Sequence, residues 1–119
     1  NHTVYEYTIF FDDEQARRLL YPVLKNVSYT RWHPYFLDIV PEGLSKSYGA
    51  ARILERIGVT REECMAFGDG GNDIPIIEYA GIGVAMGNAT DDVKAAADYV
   101  TDTVDEDGVV TALQRFGVL

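Results

Sequence analysis

The rhythm of apolar and polar positions changes near residue 41. Before it, Val4–Phe11 is β-branched and aromatic and predicts a strand. Asp12 or Asp13 then offers an N-cap. Glu14–Leu24 follows with Ala16, Leu19, Leu20 and Val23 on one side, an amphipathic helix in which Pro22 is set to end or kink the run. Val27–Trp32 and Tyr35–Val40 predict two more strands, joined through His33 and Pro34. Three strands and a helix in the first 40 residues predict a small α+β unit.

After Pro41-Glu42-Gly43 the period becomes helical. Leu44, Tyr48, Ala51, Leu54 and Ile57 share a face, so Lys46–Ile57 predicts a helix, with Gly58 suited to its C-cap. Cys64–Phe67 is short and wholly apolar, as buried parallel strands are. Asp73–Tyr79 predicts a short helix and Ile82–Met86 a strand. Thr90 stands where a helix through Ala97 would be capped, with Asp91 and Asp92 near its positive end. Tyr99–Thr101 predicts another strand and Val109–Phe116 a last helix. This alternation predicts an α/β unit, a parallel sheet covered by helices. The division between the two pieces is expected within 37–44, giving 1–38 and 39–119.

Length and charge narrow the partners. A chain of 119 residues with 47% hydrophobic residues supports one compact domain, not two large ones. Its longest apolar run, Ala80–Met86, is glycine-broken and far short of the roughly 18 residues a membrane helix needs. Asn1-His2-Thr3 shows neither an initiator Met nor a leader pattern and reads as a cut end. The lone Cys64 leaves no disulfide framework and no cysteine-cluster metal site, so a reducing cytoplasm is expected, with Cys64 in the core. The net charge of −9 disfavours nucleic acid. Residues 1–61 carry eight Lys/Arg against seven Asp/Glu, while 62–119 carry two against twelve. Such an acidic block is either a solvated surface or a holder of a hard divalent cation.

The chemically dense segment is Phe67-Gly68-Asp69-Gly70-Gly71-Asn72-Asp73, between an apolar strand and a helix. In open α/β sheets ligands bind beyond the carboxyl ends of the strands. Asp69 lies at such an end, with Asp73 four residues on. Gly68, Gly70 and Gly71 are expected to let the backbone turn tightly and approach an anion. The plainer alternative is a glycine-rich turn with Asn72 or Asp73 as N-cap. Two carboxylates and an asparagine within five residues favour a cation instead.

That segment, together with Ala80-Gly-Ile-Gly-Val-Ala-Met-Gly-Asn-Ala89, Val93-Lys94, Ala97-Asp-Tyr-Val100 and Glu106-Asp-Gly-Val109, resembles the haloacid dehalogenase (HAD) superfamily. The nearest look is the Cof-type sugar-phosphate phosphatases with a type C2 cap. The resemblance covers 37–119, and 1–36 look like the end of the cap. It implies a Rossmann-like core, the cofactor Mg2+, and a phosphorylated small metabolite such as a sugar phosphate as substrate. Asp69 matches the direct metal ligand. Asp73 matches the second acid, which acts through a metal-bound water or by orienting neighbours. Asn72 matches a residue fixing the phosphate or the lysine, and Lys46 the lysine that contacts phosphate and nucleophile. Both aspartates thus stand as metal residues, and Lys46, Asp69 and Asp73 as catalytic ones.

One part of the family pattern is missing. The nucleophile motif Asp-x-Asp-x-Thr does not occur: Asp12-Asp13-Glu14 imitates it, but Glu14 holds the second position and no Thr follows. The small hydroxyl residue that receives the phosphate is missing too; Thr30 belongs to the cap piece. The chain reads as the C-terminal part of a phosphatase, expected to be inactive alone and prone to associate through an uncovered sheet edge. The Gly68–Pro75 stretch also resembles the phosphorylation domain of P-type ATPases, against which the strands of 1–36 argue. An inactive, metal-binding piece is the third reading. Gly81–Gly87 imitates a dinucleotide fingerprint, but its glycines begin before the strand. Thr103–Gly108 imitates a calcium loop, yet Thr103 is first and Gln114 twelfth where Asp and Glu are needed, so helix capping is preferred. Arg31, Trp32, His33 and Tyr35 form either a packed turn or a sugar-facing cluster.

Overall fold

The computed structural model describes residues 5–119; Asn1-His2-Thr3 and Val4, the start of the first expected strand, lie outside the described residues. The chain divides into two compact units, Asn1–Ser45 and Lys46–Leu119. A division at 38/39 would cut the strand Phe36–Pro41, whose full length is hydrogen-bonded into the first sheet.

In the first unit, β1 (Tyr7–Ile9), β2 (Val27–His33) and β3 (Phe36–Pro41) form an antiparallel sheet in the order β1-β3-β2. Just past the end of β1 the Phe11 carbonyl accepts from Arg31 Nη1 at 3.0 Å and stands outside the ladder, so the strand ends before Phe11. Helix α1 (Asp13–Leu19) also stops early, before Pro22. Asp12 is its N-cap: the carboxylate accepts from the Gln15 N–H at 2.8 Å, and the Gln15 side chain accepts from the Asp12 N–H. The apparent nucleophile motif is therefore a helix start.

Asp38, buried at the centre of the sheet, accepts from the Thr8 hydroxyl and from Trp32 Nε1, each at 2.7 Å. Arg31 Nη1 also donates to the Pro34 carbonyl at 2.9 Å, fixing the β2–β3 turn. His33 stacks on Phe36 at 4.6 Å and Trp32 tilts against Phe36 at 5.1 Å. These contacts are those of a packed turn.

In the second unit, helix α2 (Lys46–Ile57) has the expected bounds. Gly58 follows with φ +73°, a left-handed residue that lets the Val59 N–H return to the Leu54 carbonyl at 3.1 Å. Strands β4 (Met65–Gly68), β5 (Ile82–Ala85) and β6 (Tyr99–Val100) form the expected parallel sheet in chain order. The β4 strand starts one residue late: the Cys64 N–H is held by the Arg61 carbonyl at 3.0 Å, which leaves Cys64 half-buried at a turn. Helices α3 (Ile74–Tyr79), α4 (Asp91–Ala96) and α5 (Gly108–Arg115) complete the unit. The core gathers Ile77 of α3, Ala85, Ala89 and Val93 of α4. Thr90 occupies the N-cap position of α4, but its hydroxyl donates to Asp92 at 2.5 Å rather than accepting from the helix. Thr103 and Glu106 form a capping box on the turn Val104–Glu106, so this imitation of a calcium loop is a helical cap. Among the described residues no helix is long and apolar enough to cross a membrane.

Candidate active site

The carboxyl end of β4 carries the dense segment. Gly68 ends the strand, Asp69 follows, and a 3-10 turn (Gly71–Asp73) leads into α3. Sequence reasoning placed Asp73 as an N-cap or a metal residue. It stands at the N-cap position of α3, yet its carboxylate turns back into the loop. Oδ2 accepts from the Asp69 N–H at 3.0 Å and the Gly70 N–H at 3.2 Å. Oδ1 takes the Lys46 ammonium in a close ion pair. Asp73 is buried and Lys46 half exposed. Burial alone would raise the Asp73 pKa; the Lys46 hydrogen bond and the two backbone N–H groups outweigh it and hold the carboxyl below its ordinary value. Asp73 is thus a clamp that joins the first residue of α2 to the loop after β4.

Gly68 is required for this clamp. A Cβ at Gly68 would lie 2.4 Å from Asp73 Cβ and 2.9 Å from Ile77 Cδ1. Its hydrogen makes room for the aspartate side chain. Gly71 has no such demand, its nearest neighbour being Asp92 Oδ2 at 4.0 Å, and Gly70 is extended at φ −112°. Gly68→Ala is therefore expected to cost about 2 kcal/mol, in the range of an overpacked core position. Gly71→Ala is expected to cost less than about 1 kcal/mol, with chemical denaturation separating the two.

Asp69 is exposed, and its Oδ2 accepts from Asn88 Nδ2 at 3.2 Å. Asn72 sits half-buried on the 3-10 turn, its Oδ1 3.0 Å from the Cβ position of Gly70. The Asp73 carboxylate thus meets the Lys46 ammonium and the Asp69 N–H, with Asn72 on the same 3-10 turn. The resemblance implies no role for Asn88, whose one sequence signal is its place just past the carboxyl end of β5. Among the described residues no three His, Cys, Asp or Glu side chains converge as a metal cage.

The family model for haloacid dehalogenase-like hydrolases matches residues 1–113. The chain belongs to that family. Among its haloacid dehalogenase-like relatives, the 5-amino-6-(5-phospho-D-ribitylamino)uracil phosphatase YcsE of Bacillus subtilis is 42% identical over 107 residues, covering 88% of this chain and 43% of YcsE. A solved structure of the HAD phosphatase BT1666 from Bacteroides thetaiotaomicron superposes with a TM-score of 0.90 at 46% identity, over 99% of this chain and 44% of that one. The structure of the HAD subclass IIB sugar phosphatase BT4131 also gives 0.90, at 44% identity, over 100% of this chain and 45% of that one. The chain thus spans less than half the length of these relatives, and the Cof-type resemblance agrees with them.

Proposed function

We propose that this chain is the metal- and phosphate-binding half of an Mg2+-dependent phosphomonoester hydrolase for sugar phosphates or similar small metabolites. The observation that carries this is the Asp73 clamp. One buried carboxylate holds the Lys46 ammonium and also sets the backbone of Asp69, so a cation donor and an acidic ligand are fixed from the same point.

The donor set suits Mg2+, which binds through one or two carboxylates and keeps several waters. Asp69 is the acidic side chain with an oxygen to offer, since both oxygens of Asp73 are already engaged. Asp73 then works by orienting Lys46 and the loop, reaching an ion only through water. When bound, Mg2+ supplies positive charge to the phosphoryl oxygens. Lys46 adds its ammonium to the phosphate and the nucleophile, and Asn72 offers an amide beside them.

The nucleophilic aspartate would come from a part of the protein that these 119 residues do not include. Two surfaces of the second unit accord with that: β4 pairs on one side among the described strands, and α2 leaves Ile53 and Ile57 mostly exposed. The first unit would be the end of the cap, with the Trp32–Tyr35 turn a candidate sugar contact. The cytoplasm would be the compartment.

The test is phosphate release from a panel of sugar phosphates, with and without Mg2+. Protein carrying the Asp-x-Asp-x-Thr half is expected to turn over one or more of them in Mg2+ alone, and the 119-residue chain none. An intact protein inert on every member would overturn the activity. Turnover by the short chain would overturn the division of labour.

A further inference from the structure

We propose that Asn88 is a positioning residue that aims the Asp69 carboxylate by bridging the loops that follow all three parallel strands; this rests on the reading of Asp69 as the Mg2+ ligand. Asn88 lies after β5, and its Nδ2 donates to Asp69 Oδ2, after β4, at 3.2 Å. Its Oδ1 accepts from the Val104 N–H, after β6, at 3.1 Å. A backbone N–H only donates, so it dictates which end of the amide is oxygen and turns the NH2 toward Asp69. With Oδ2 held, Oδ1 is the oxygen left to face an ion, and the carboxylate is fixed in one rotamer.

The placement of Asn88 is built rather than incidental. On one side the Gly87 N–H donates to the Asp102 carbonyl at 3.0 Å, and on the other the Ala89 N–H donates to the Met86 carbonyl at 2.9 Å. A Cβ at Gly87 would lie 2.8 Å from Thr103 N, so the two loops meet as closely as backbone allows. Loss of a group that orients a metal ligand commonly costs about 10- to 100-fold in metal affinity.

The bridge is cut from either end by two gentle substitutions. Asn88 is exposed, so Asn88→Ala removes the amide without opening the core. Val104 is the first residue of its 3-10 turn, where proline is well tolerated. Thr103 before it is already extended at φ −70°, ψ 167°, as a residue preceding proline should be. Val104→Pro therefore removes the N–H that orients Asn88 and sets its Cδ in that hydrogen's place, cutting the bridge with the backbone conformation kept.

Mg2+ would be titrated into the chain and its two single variants and the double variant, following the backbone amide signals of Asp69 and Gly70 by NMR. Each single variant is expected to weaken the dissociation constant about tenfold, and the double variant no further, because both cut one bridge. Wild-type affinity in Asn88→Ala, or multiplying losses in the double variant, would overturn the bridge while leaving Asp69 as ligand. Loss in Asn88→Ala but not in Val104→Pro would overturn the orienting role of Val104. If the wild-type chain gives no Mg2+-dependent shift at Asp69, the metal reading falls and the Asn88 inference with it.

Discussion

Asp73→Ala is expected to lower the stability of the Lys46–Leu119 unit by about 3 kcal/mol, the low end for breaking a buried ion pair, because Lys46 is half exposed. Three donors lose their acceptor at once: the Lys46 ammonium and the N–H groups of Asp69 and Gly70. Asp73→Asn keeps the shape but turns an NH2 toward one of those donors, and is expected to cost about half as much. The folded pKa of Asp73 lies below its ordinary value, so the ionised form is the one the fold favours. Its stabilising contribution is therefore complete above about pH 4 and declines as pH falls through the lower folded value. The wild-type and Asp73→Asn stability curves should run parallel at neutral pH and converge below about pH 4. Urea titrations across pH 2.5 to 7 measure this, and curves that stay parallel to the acid end would mean the carboxylate is not what holds the loop.

Asp69→Asn in the intact enzyme should raise the Mg2+ dissociation constant at least about tenfold and lower turnover with it. The substitution removes one negative charge from the position proposed to face the ion. The amide can also choose its orientation badly. If its oxygen meets the Asn88 NH2, its own NH2 is left toward the metal. Lys46→Ala is the contrasting variant. It should leave Mg2+ affinity unchanged or slightly tighter, since a nearby positive charge is gone, and lower kcat by about a hundredfold. Calorimetric titration of Mg2+ beside steady-state kinetics separates the two. Asp69→Asn binding Mg2+ as tightly as wild type would remove Asp69 from the ligand set.

Much of the fold was legible because burial and periodicity speak together. Lys46–Ile57 has the bounds its apolar stripe predicts, and Gly58 closes it with the conformation glycine alone adopts freely. The all-apolar strand expected at 64–67 and the strand-helix alternation predicted a parallel sheet, and the order β4-β5-β6 follows. Element ends were less legible, since single hydrogen bonds decide them. The Phe11 carbonyl takes Arg31 just past β1, and the Cys64 N–H turns to the Arg61 carbonyl while its own carbonyl still accepts from the Ile82 N–H.

The sequence by itself singled out one short segment, where oxygen-rich side chains and glycines crowd past an apolar strand, and its resemblance to the haloacid dehalogenase family supplied the class of chemistry. It also placed the helices along the chain, since periodicity is local information. Only the tertiary structure decided what each side chain does. Asp73 and Lys46 are 27 residues apart, and their ion pair exists because α2 and α3 pack side by side. Gly68 proved to be space for Asp73, a demand set by a neighbour in three dimensions and absent from the backbone angles. Asn88 lies 19 residues from Asp69 and 16 from Val104, and parallel strands alone bring their carboxyl ends to one edge. Hydrogen bonds between such loops depend on distances of a few tenths of an ångström, which no pattern of residue types encodes.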